Sequence, residues 1–74
     1  SADKDADLAC VAAMREAAGA KLASFPTSIE EDEALLAGGG LGERMGMCVE
    51  YRLSVKRNVE AFVRFLAKME ELAE

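Results

Sequence analysis

The sequence predicts an all-α fold of three helices, at about 7–23, 28–37 and 42–73, the last of them long and extending beyond a small helical bundle. Three observations carry that expectation. Alternate steps of four and three from Leu41 pass through Met45, Cys48, Arg52, Val55, Val59, Phe62, Leu66, Met69 and Ala73, apolar at every position but Arg52. The single proline, Pro26, stands between two helical patterns, and three successive glycines at 38–40 divide the second from the third.

The first six residues are polar and are expected to be frayed, with Asp5 or Asp7 free to cap the first helix. From Leu8 the apolar positions Leu8, Val11, Ala18 and Leu22 recur at helical spacing in an alanine-rich setting, so helix one runs to Ala23. Phe25 precedes Pro26, whose ring disfavours a helical neighbour, and the helix closes there.

Thr27-Ser28-Ile29-Glu30-Glu31 holds two overlapping capping boxes, Thr27 with Glu30 and Ser28 with Glu31. Acidic residues through Glu33 suit the positive end of a helix macrodipole, so helix two starts here and continues to Ala37. The glycine-rich turn at 38–42 comes next. The third helix carries Glu43, Glu50, Arg57, Arg64 and Glu71 at seven-residue intervals as a solvated stripe. A helix over 42–73 is roughly 50 Å long, whereas a compact globule of 74 residues is about 30 Å across. Either its end projects or a partner covers it.

The net charge of −5 argues against nucleic acid or anionic lipid as the main partner, because both would repel the chain. A protein partner is expected, in a larger assembly. No apolar run is long enough to span a bilayer, so the expectation is a soluble or peripheral chain. The sequence starts at Ser1 rather than Met, as a processed chain or a piece of a longer one would. Cys10 and Cys48 are expected to be reduced packing residues inside helices, with a Cys10–Cys48 bridge as the alternative.

Sites of chemistry are not expected. Glu30 to Glu33 point in different directions on a helix and form no calcium loop; capping explains them. The glycine run lacks the strand and the Lys-Ser/Thr of a phosphate loop. With no histidine, neither cysteine has its usual base, no zinc signature is present, and no cofactor or metal is expected; nor is an enzyme.

Arg52 is the polar residue that breaks the seam. A guanidinium at a helix interface needs a carboxylate, and Asp32 of helix two would offer one across the glycine turn, pairing to fix the crossing of the two helices. The alternative is that Arg52 lays its stem along the surface and keeps its head in water. Leu53, Val63, Phe65, Met69 and Leu72 are expected at a partner-binding surface.

The run Phe25-Pro26-Thr27-Ser28-Ile29-Glu30-Glu31-Asp32-Glu33-Ala34-Leu35-Leu36, with Arg44 and Tyr51-Arg52-x-x-x-Lys56, resembles the C-terminal helical domain of the Rubisco large-subunit methyltransferase family. In that family a SET domain binds S-adenosylmethionine and methylates lysine, while the helical domain helps to hold the protein substrate. The chain departs from the family at Val55, where an acidic residue is usual, and carries nothing like a SET domain. The resemblance therefore implies the helical fold and a protein-binding role without the catalytic residues.

Three functions fit these expectations. The first is a non-catalytic accessory or linker module on a larger assembly, in a plastid and photosynthetic by the habit of the family's plant members. The second is the substrate-docking part of a complete SET-domain lysine methyltransferase whose catalytic domain lies outside this chain. A homodimer of antiparallel third helices is the third and weaker.

Overall fold

The computed structural model describes residues 2–73, so Ser1 lies outside the described residues. It has three helices, α1 (Ala2–Ala23), α2 (Ile29–Ala37) and α3 (Glu43–Ala73). The fold class is all-α, and α3 is unbroken.

Helix α1 begins about five residues earlier than expected. Asp3 and Asp5 fall in its first turn, where carboxylates meet the positive end of the macrodipole, and the alanines around them favour helix, so this segment is helical rather than frayed. Its far end closes on Ser24, whose amide donates to the Ala20 carbonyl at 3.0 Å and whose Oγ donates to the Lys21 carbonyl at 2.6 Å.

Only one of the two overlapping capping boxes forms. The Glu31 amide donates to Ser28 Oγ at 3.0 Å and the Ser28 amide donates to Glu31 Oε1 at 3.0 Å, making Ser28 the N-cap of α2. Thr27 is thereby released for another partner. At the other end Gly38 caps α2, and Gly39 takes φ +67°, the left-handed conformation that glycine adopts without penalty.

Both shorter helices pack on α3, and α1·α3 and α2·α3 are the helix pairs in contact among the described residues. Arg15 reaches Glu70 at 2.6 Å and Phe25 lies over Lys56, so α1 runs antiparallel to the C-terminal part of α3. Asp32 meets Arg52 and Lys56, which sets α2 against the N-terminal part. The result is a slab two helices thick, 55 × 18 × 14 Å. Along α3 an outer face stays open, with Tyr51, Phe65 and Leu72 exposed.

The covered face of α3 shares Leu66 with the seam counted from Leu41 but departs from it in the first half of the helix. Val49, Leu53, Lys56 and Leu66 are its buried residues, one position along from Cys48, Arg52 and Val55 in the first half. Two apolar stripes run along this helix, and α1 and α2 take the one that brings Lys56 under them; apolar spacing alone cannot choose between them. Leu53, expected at the partner surface, is therefore a core residue with 3% of its surface exposed. Cys10 and Cys48 are also displaced from the expected packing: both are free and exposed.

Since only Gly39 needs positive φ, Gly39→Ala should lower stability by about 1–2 kcal/mol, while Gly40→Ala should change it by less than about 0.5 kcal/mol. Urea titrations followed by circular dichroism check the contrast.

Candidate functional site: a buried charge cluster and an open helix face

The chemistry of the chain is concentrated where its three helices meet. Asp32, in the first turn of α2, has no exposed surface, and Lys56, near the midpoint of α3, has 1%. Two opposite charges removed from water need close partners, and each has several. Lys56 Nζ donates to Asp32 Oδ2 at 2.6 Å and to Thr27 Oγ1 at 2.7 Å. Thr27 Oγ1 in turn donates to Asp32 Oδ1 at 2.8 Å, and Arg52 adds Nε at 3.1 Å and Nη2 at 2.8 Å to the same oxygen. No buried side-chain nitrogen or oxygen is left without a hydrogen-bond partner among the described residues.

Phe25 completes the corner. The Lys56 ammonium stands 5.4 Å from its ring centroid and that of Lys21 stands 5.8 Å away, distances at which a cation is attracted to the ring face. The segment between α1 and α2 is thus clamped by one lysine of α3. Hydrogen bonds from Arg52 hold the Asp32 carboxyl well below the ordinary aspartate value of 3.8, against the opposing effect of burial, with Lys56 and Thr27 pulling in the same direction as Arg52.

The sign of the resulting pH dependence is fixed. A carboxyl whose folded value is depressed contributes its full stabilisation above the unfolded value, and that contribution disappears as the pH falls below about 4 towards the folded value.

The structure brings Asp32 and Arg52 together at hydrogen-bonding distance, while the Arg52 side chain keeps 40% of its surface in water. It adds Lys56 and Thr27, which the sequence offers as family motif residues without a part in the pair. One signal does point to Lys56: it stands one helical turn beyond Arg52, so both cations face the same neighbour. Thr27 carries no such signal, because a threonine before an acidic stretch reads as a cap.

The residues expected at a partner surface divide. Leu53 is buried, and Val63 is half-buried, one heptad from both Lys56 and Glu70, on the side α1 covers. Phe65, Met69 and Leu72 are exposed, Leu72 by 74%. Tyr51 and Phe62 join them on the outer face. Among the described residues no three His, Cys, Asp or Glu side chains gather as a metal site would require, and no helix is long and apolar enough to cross a membrane. A hollow of about 260 Å³ beside the cluster is lined by Gly19, Leu22, Ala23, Ile29 and Lys56, but the Lys56 ammonium there is already engaged.

A helical slab pinned by buried charges, with a bare apolar face along its longest helix, has the make-up of a protein-binding module. The Rubisco LSMT substrate-binding family model matches residues 3–57, and the chain belongs to that family. The matched stretch holds the whole cluster, from Phe25 to Lys56, whereas Phe62, Phe65, Met69 and Leu72 lie beyond it. No curated protein and no solved structure matches the chain.

Asp32→Asn leaves the Lys56 ammonium buried without a counter-charge and should lower stability by about 3–5 kcal/mol. The double variant Asp32→Leu/Lys56→Met should recover most of that loss in thermal melts, since no buried charge remains. Exchanging the charges of Asp32 and Arg52 should not rescue folding, because the new arginine would face Lys56.

Proposed function

We propose that the chain is a non-catalytic helical module that docks on a larger protein assembly, as an accessory or linker subunit of a plastid, photosynthetic complex. The observation that carries the reading is the outer face of α3. Tyr51, Phe62, Phe65, Met69 and Leu72 are all exposed, and a chain this small does not leave such a row uncovered without a use for it. Membership of a substrate-binding family supports a protein as the occupant, and the charge of −5 supports a basic or mixed-charge surface over nucleic acid. The plastid location rests on the family name alone.

The same family match favours a second reading, in which these residues are the substrate-docking part of a SET-domain protein-lysine methyltransferase and catalysis belongs to a domain outside this chain. A SET domain encoded upstream in the same transcript selects the second reading. A transit peptide directly before Ser1 selects the first.

Purification from the native source, under mild conditions, should yield the chain in stoichiometric complex with other proteins. Phe65→Asp should weaken that complex tenfold or more with helix content unchanged. A complex indifferent to Phe65→Asp would refute α3 as the docking face. Val63→Asp, by contrast, should reduce helix content, since Val63 sits against α1.

A further inference from the structure

The accessible surface of 5466 Å² exceeds by about 1,000 Å² the roughly 4,400 Å² of a compact protein of this mass. Among the described residues only Val11, Val49, Leu53 and Leu66 are buried apolar residues. A slab two helices thick buries one side of each helix, and helical proteins of this kind are completed by a second pair packed on the first. The uncovered side is the outer face of α3.

That face has a regular pattern. Tyr51, Val55, Asn58, Phe62, Phe65, Met69 and Leu72 succeed one another at alternating steps of four and three, the spacing of a helix-pairing seam. No charge falls in the seam, so covering it desolvates none. Charged Glu50, Arg57, Arg64 and Glu71 stand to one side of it, and on that flank the residues nearest the seam are the small Ser54 and Ala61.

We infer that the occupant of this face is a second copy of the chain, its α3 lying antiparallel across the first. Laid antiparallel about an axis near residue 60, the seam is complementary to itself in size. Val55 meets Phe65, Asn58 meets Phe62 and Tyr51 meets Met69, so each phenylalanine faces a smaller residue. A parallel pairing would set Phe62 against Phe62 and Phe65 against Phe65.

Area agrees with the assignment. At about 150–250 Å² for a large side chain, the exposed fractions of the seam, from 41% at Met69 to 74% at Tyr51 and Leu72, amount to on the order of 700 Å² per copy. Two copies bury about 1,400 Å² together, within the 1,200–2,000 Å² of stable interfaces. The inference rests on the reading of this face as a protein-binding surface and names its occupant in the isolated chain; a partner in the larger assembly takes the place of the second copy on the same residues.

Sedimentation of the complete chain between about 1 μM and 1 mM tests it. The result expected is a dimer that Phe65→Asp and Leu72→Asp each convert to monomer at unchanged helix content. In a Cys10→Ser/Cys48→Ser background, Tyr51→Cys and Met69→Cys chains should form a disulfide when mixed and none when oxidised separately. A monomer over the whole range overturns the inference, as does a dimer that both aspartate variants leave intact, or a Tyr51→Cys chain that links to itself. If the native complex still depends on Phe65 while the isolated chain is monomeric, self-pairing fails and docking stands. If the chain dimerises but the native complex ignores Phe65, the docking reading is the one that fails.

Discussion

One carboxylate holds this small fold in a single arrangement. Asp32 is enclosed without exposed surface, and a buried anion survives only where cations and hydrogen-bond donors replace the water it has lost. Lys56 and Arg52 supply the charge and Thr27 the remaining donor. Because α1 and α2 each pack on α3, this corner is where the three helices share an anchor. The start of α2, the end of α1 and the midpoint of α3 must coincide there, and Phe25 closes it over the lysine. The apolar core contributes cohesion but little choice of arrangement, since α3 has apolar residues on two faces.

That constraint also explains the shape. By fixing Lys56 beneath the corner, it commits the side of α3 marked by Val49, Leu53 and Leu66 to the interior and turns Tyr51, Phe65 and Leu72 outward. Spreading α1 and α2 along a rod rather than around it leaves the outer face without cover. The feature that makes the fold specific and the feature available for binding are thus two sides of one helix, which is why a change at the cluster would disturb both.

Much of the fold is legible in the sequence because its breaks are chemically unambiguous. Pro26 and the glycines at 38–40 separate the helices, and Ser28 with Glu31 marks the start of the second. The opposite charges of Asp32 and Arg52 on either side of a turn point at each other. What stays hidden depends on rotation. A shift of one residue turns a helix by about 100°, so counting from Leu41 picks out the buried Leu66 but falls one position off in the first half of α3, which puts Leu53 outside and gives Lys56 no role. A lysine is ordinarily a surface residue, and only the three-dimensional corner shows that its ammonium is wanted inside. The cysteines mislead for a related reason: small apolar character permits burial but does not require it, and Cys10 and Cys48 lie on exposed sides of their helices.

The functional reading depends on the same corner, since the outer face of α3 exists only while α1 and α2 are held to the inner one. The most direct test is therefore an NMR titration of the Asp32 side-chain carboxyl in the complete chain. A carboxyl held between Arg52 and Lys56 should show no midpoint between pH 7 and about 3 and should remain ionised until the fold is lost. A midpoint near the ordinary 3.8, with the helices still in place, would mean that the carboxylate is not confined by those cations and that something else positions the three helices.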